Sequence, residues 1–199
     1  MTNPRILIAG VGNIFLGDDA FGCEVAQRLL SRAMPPHVRV VDFGIRGLDL
    51  TYAMLEDCDI AIIVDAVPRG EPPGTLYVIE PDAPTETGAP PDLQPGEMLV
   101  ETHGMDPAKV FRLVRAMGSS VRRILVVGCE PAPFDPEVDM DMSLSPLVRA
   151  AVDEAVPLIE SLLNRVLEED QIPSVPLSAG ILAGASSKGA NPHDGDTTP

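Results

Sequence analysis

Tryptophan is absent from this chain, and aromatic residues of all kinds make up only 4% of it. Any core must therefore be built from Val, Ile, Leu, Ala and Met. Basic residues are also scarce: 14 Lys and Arg stand against 30 Asp and Glu, a formal net charge of −16. That balance argues against nucleic acid and anionic membrane as partners, because both require a basic footprint. The three cysteines, Cys23, Cys58 and Cys129, form no CxxC pair, so neither a disulfide framework nor a cysteine zinc site is expected. No apolar run approaches the ~18 residues of a membrane helix, and MTNPRILIAG has no apolar leader region. A cytosolic, monomeric protein is expected.

What is present is enough for one α/β domain: 199 residues, 45% of them hydrophobic. Residues 5–10 (RILIAG), 38–43 (VRVVDF), 59–67 (DIAIIVDAV), 75–80 (TLYVIE) and 122–129 (RRILVVGC) read as strands. Helices are expected over 18–33, 47–56, 106–117 and 145–167, with Pro157 kinking the last. The third strand is almost wholly apolar and should be central. Too few residues separate strands three and four for a crossover helix, so strand four should be an antiparallel edge strand. The expected architecture is a three-layer α/β/α sandwich on a mostly parallel five-stranded sheet, spanning residues 1–168. The Ser-, Gly-, Pro- and Asp-rich stretch 169–199 reads as a disordered tail.

In such a sheet, function gathers beyond the carboxyl ends of the strands. The first of these loops reads GVGNIFLGDDAFG. Gly10 and Gly12 fit the start of a dinucleotide fingerprint, and Asp42 falls where a ribose-binding acid would sit. Phe15, however, stands where the third glycine should be, and no P-loop lysine follows. Asp18 and Asp19 put negative charge where a pyrophosphate would lie. Each would cost roughly 4 kcal/mol against a phosphate charge at 4 Å and an effective dielectric near 20. Asp18 also reads as a helix cap or first-turn charge. Asp19 admits the same reading, or that of a ligand.

Two further loops carry candidate ligands. Asp65 ends the third strand, and His103 lies in ETHGMDP before the next helix. The alternatives are a turn-capping Asp65 and an ordinary surface His103; His37 and His193 fit that ordinary description better. One imidazole and two carboxylates would leave positions open for water or substrate. The set suits Zn²⁺, Ni²⁺ or Co²⁺ better than an all-oxygen Mg²⁺ or Ca²⁺ cage. Cys23 reads as a packing residue, and Ser143 and Ser145 as a helix cap. Gly44 and Gly47 either flank a substrate-holding loop or simply make a turn.

These residues resemble a family. Gly10-Val11-Gly12-Asn13 followed by Asp18, Asp19 and Gly22 is similar to the opening signature of the hydrogenase maturation endopeptidases. The resemblance continues through VVDFGIRG, IIVDAV, ETHGMD and LVVGCEP, in family order, over residues 5–167. Ala20 departs from the glycine that many members carry after the paired acids. The resemblance implies a cytosolic protease that removes a C-terminal peptide from the precursor of a nickel–iron hydrogenase large subunit. It implies Asp19, Asp65 and His103 as the metal-recognising triad, with Asp42 as a further catalytic acid. It also implies nickel supplied by the precursor, with zinc or cadmium able to substitute in the isolated protein. The rival classes are a nucleotide-dependent oxidoreductase and a non-enzymatic metal sensor or metallochaperone.

Overall fold

The computed structural model describes residues 3–56, 58–80, 114, 117–133 and 142–171. Five strands form one sheet: β1 (Ile6–Val11), β2 (Val38–Gly44), β3 (Ile60–Ala66), β4 (Leu76–Ile79) and β5 (Arg123–Cys129), in the order β2-β1-β3-β5-β4. β1 pairs parallel with both β2 and β3, and β3 pairs parallel with β5. β4 runs antiparallel to β5 at the edge. The expected sheet and its antiparallel edge strand are therefore both present.

Alternation along the strands divides the core in two. Ile6, Ile8, Ile60, Ile62, Val64, Leu125 and Val127 face one side. There they meet α1 (Phe21–Leu30) through Phe21, Val25 and Leu29, and α3 (Pro146–Gln171) through Val148, Val152 and Ile159. Leu7, Ala9, Ala61, Ile63, Ile124 and Val126 face the other side, under Leu50, Ala53 and Met54 of α2 (Gly47–Glu56). Val114 is helical and buried in this second layer. Most of the helix expected over 106–117 lies outside the described residues, as does 172–199.

Three expectations need correction. The helix expected from residue 18 begins instead as a 3-10 turn, Gly17–Ala20, and becomes α-helical only at Phe21. Within this turn the Asp18 side chain is bonded to another element, through the N–H groups of Ala132 and Ser145. The same helix ends at Leu30, short of residue 33, where Ser31 N–H turns back to the Arg28 and Leu29 carbonyls. The last helix extends to Gln171, beyond the expected end at 167, and its assignment runs through Pro157 unbroken. Val152, Ala155 and Val156 before the proline and Ile159, Leu162 and Leu163 after it enter the same core. Both halves thus pack against the same core although Pro157 has no N–H to donate.

Helix α1 lies unusually close to the sheet. A Cβ on Gly22 would fall 2.1 Å from the Val64 carbonyl oxygen and 2.3 Å from that of Val11. A Cβ on Gly10 would fall 2.3 Å from the Gly22 carbonyl oxygen. Backbone meets backbone here, and no side chain can yield. Gly22→Ala is expected to destabilise the fold by about 3 kcal/mol or more. Gly70→Ala, where φ is +85° and the surrounding space is open, should cost only about 1–2 kcal/mol. Denaturant unfolding of the two variants checks the ordering.

Candidate functional site

Strand order reverses across β1, which has β2 on one side and β3 on the other. The loops leaving the carboxyl ends of β1 and β3 diverge at that point and open a crevice. A cleft of about 1320 Å³ lies there, bounded by the loops after β1, β3 and β5 and by the first turns of α3.

The floor is set by Gly12. Its φ of +140° and its contact with the next turn exclude any side chain: a Cβ would fall 1.8 Å from the Asp19 carbonyl oxygen. The 3-10 turn is thereby laid over the end of β1. The backbone N–H of Asn13 donates to Asp19 Oδ2 at 2.7 Å, and Phe15 N–H donates to Asn13 Oδ1 at 3.0 Å. These bonds fix the Asp19 carboxylate at the lip of the cleft, half-buried. Asp65, second to last in β3, is also half-buried and lines the same cleft. Burial, and after it the neighbouring Asp19 carboxylate, push Asp65 up to about 7; the Ala66 N–H partly offsets this. A buried Asp65 carboxyl beside the Asp19 carboxylate in one cleft forms an acidic donor pair that a cation would relieve. The oxygen donors suit a divalent metal ion.

The neighbouring acid does different work. Asp18 is 7% exposed, and its two oxygens accept N–H bonds from Ala132 at 2.9 Å and Ser145 at 2.6 Å. It does not cap its own helix. It ties the β1 loop to the loop after β5 and to the start of α3, where Ser145 Oγ accepts from Val148 N–H at 3.4 Å. The expected capping role of Ser145 is therefore present, whereas that of Asp18 is transferred to a distant element.

Asp42 lies at the end of β2, paired in register with Gly10. Its carboxylate accepts from Gln27 Nε2 at 2.9 Å and from Gly44 N–H at 3.0 Å. It lines a smaller hollow beside Gly12, Phe15, Cys23 and Ile45. Cys23 is buried and donates to the Gly12 carbonyl at 3.4 Å. Burial first, then Asp42, Asp19 and Asp65, push its thiol up to about 12. It is a protonated packing residue and not a nucleophile. All three carboxylates, Asp42, Asp19 and Asp65, act electrostatically on this one thiol.

His103 lies outside the described residues. His37 is remote from the site: its carbonyl accepts from Ile6 N–H, at the opposite end of the sheet. Among the described residues, no three His, Cys, Asp or Glu side chains converge to hold a metal ion.

One structural acid was not singled out from the sequence. Glu130, directly after β5, is buried and accepts from Tyr77 Oη, from Arg69 N–H at 2.7 Å and from Gly70 N–H at 3.0 Å. The Tyr77 hydroxyl foremost, then these amides, hold it below the usual carboxylate range. It fixes the loop after β3 that forms one wall of the cleft. The signal available was an acid ending an apolar strand, the same signal that marked Asp65.

Fold and site together define an α/β/α sandwich that gathers carboxylates at the carboxyl ends of its parallel strands. The family model for hydrogenase maturation protease, HycI, matches residues 23–162. The hydrogenase expression/formation protein HupD of Rhodobacter capsulatus is 31% identical over 154 residues, 76% of this chain and 68% of that protein. The hydrogenase 2 maturation protease of Escherichia coli is 29% identical, over 88% of this chain and 98% of that one. The structure of the hydrogenase maturating endopeptidase HybD from E. coli superimposes with a TM-score of 0.62 at 27% identity, covering 81% of this chain and 93% of that chain. The chain belongs to the hydrogenase maturation protease family, whose members are endopeptidases.

The paired acids should separate cleanly on mutation. Asp18→Ala strips the acceptor from two backbone N–H groups and should cost about 2–4 kcal/mol of stability. Asp19→Ala removes one partly exposed bond but also relieves repulsion with Asp65, and should change stability by no more than about 1 kcal/mol. Equilibrium unfolding of both variants is the check.

Proposed function

We propose that this protein removes a C-terminal peptide from the nickel-loaded precursor of a nickel–iron hydrogenase large subunit. In this reading Asp19, Asp65 and His103 recognise the precursor's metal. Membership of the family supports the protease activity. The observation that carries the metal reading is the Asp19–Asp65 pair, two carboxylates held facing one cleft at the switch point of the sheet.

The chain's own groups divide as follows. Asp19 is oriented by the Asn13 N–H and lines the cleft. Asp65 offers a carboxylate that a bound cation would return to its ionised form. His103 supplies the third donor. Nickel arriving with the substrate would supply the Lewis acidity that polarises the scissile carbonyl or activates water. Asp42, anchored by Gln27 and Gly44, orients the groups around it, Cys23 included. With Cys23 protonated and buried, water is the economical attacking group.

The nucleotide reading loses its footing at Gly12. The close approach that a glycine permits to a pyrophosphate is here filled by the Asp19 carbonyl. The close helix–strand contact that Phe15 could not provide comes from Gly22 instead, while Phe15 itself is 64% exposed.

Asp19→Ala and His103→Ala are each expected to lower cleavage of a nickel-loaded precursor by roughly a thousandfold or more, with unchanged far-UV circular dichroism. Gel mobility and intact mass of the precursor report the cut. Full processing by both variants would remove these residues from the site. Metal binding with no cleavage by the unaltered protein would favour the sensor or metallochaperone reading.

A further inference from the structure

The cleft is lined by five acids, Asp18, Asp19, Asp65, Glu130 and Asp153, and among the described residues by one Lys or Arg side chain, Arg149. Three of the acids are already engaged within the fold: Asp18 by Ala132 and Ser145, Glu130 by Tyr77, Arg69 and Gly70, and Asp153 by Arg28. Arg149 is in a different position. It is exposed, and its side chain makes one hydrogen bond to the described residues, from Nη2 to the Leu144 carbonyl at 3.3 Å. Asp153, one turn along α3, is the acid with which a helical arginine would normally pair. Arg28 of α1 takes it instead.

Arg149 also stands against the local electrostatics of its helix. Its N–H closes the first turn of α3 on the Ser145 carbonyl, where the helix dipole disfavours a cation. A charge in a locally unfavourable place, without a carboxylate partner among the described residues and facing a substrate-sized cleft, is the pattern of a binding group.

We propose that Arg149 is a substrate-positioning residue. It takes the carboxylate of an Asp or Glu side chain of the precursor that lies within a few residues of the scissile bond. The inference rests on the function proposed above. A guanidinium binds a carboxylate through two parallel N–H bonds, which fixes register as well as charge. The acidic walls favour a singly charged carboxylate over a more highly charged phosphate. With Asp19 and Asp65 addressing the metal, Arg149 gives the extended chain a second, separate anchor, and so aligns the peptide bond to be cut.

The test uses steady-state cleavage of nickel-loaded precursor, read by mass. Arg149→Ala should raise KM about tenfold with kcat little changed, since a charge-assisted pair in a partly dry cleft is of that order. Arg149→Lys should recover part of the loss. The thermal stability of Arg149→Ala should be unchanged or slightly raised, because that variant removes a cation from the helix start. Precursors with each nearby Asp or Glu changed singly to Asn or Gln should include one that raises the wild-type KM by the same factor. That precursor should lose nothing further with Arg149→Ala. An unchanged KM for Arg149→Ala, or additive losses with every precursor, would overturn the assignment while leaving the function intact. A precursor left uncut by the wild-type protein would overturn both together.

Discussion

The backbone-to-backbone approach of helix α1 to strands β1 and β3 is the constraint on which the site depends. Gly10, Gly12 and Gly22 leave no room for a Cβ at three successive contacts. Because the helix sits so low, the turn that starts it passes directly over the end of β1. Asp18 and Asp19 then emerge on opposite errands: one carboxylate reaches across to Ala132 and Ser145, and the other is held at the lip of the cleft by Asn13. A side chain at any of the three glycines would lift the turn and misplace both.

Electrostatics sorts the acids of the cleft by what each already touches. Asp18 and Glu130, like Asp42 in the smaller hollow beside the cleft, accept hydrogen bonds from within the fold. Asp19 and Asp65 are left facing the cleft, and burial together with the Asp19 carboxylate raises the cost of ionising Asp65. Such a pair is unfavourable by itself and favourable with a cation between its members. Asp18 and Glu130 frame the cleft that Asp19 and Asp65 face. The Glu130 cluster fixes one wall, and the Asp18 bonds join the β1 loop to the start of α3.

The fold was largely legible in the sequence, because strand periodicity and apolar runs are local signals. The short link between strands three and four led correctly to the antiparallel edge strand. The placement of Asp42 and Asp65 was legible because each lies near the carboxyl end of a strand, and sheet topology brings strand ends together. What was hidden depended on contacts between distant segments. Nothing local announces that Asp18 would cap a helix more than a hundred residues away, or that Glu130 would bind the loop before β4. Gly22 carried the clearest overlooked signal: a glycine inside an amphipathic helix invites the question of what approaches it so closely. His103 is a reading of the sequence alone.

On the function proposed above, recognition of a metal carried by the substrate would make cleavage conditional on the substrate's own maturation. The most direct test is to present the same large-subunit precursor with and without nickel and to follow the mass of each in the presence of this protein. The account predicts that the nickel-loaded precursor is shortened and the nickel-free precursor stays intact. Equal shortening of both would contradict it.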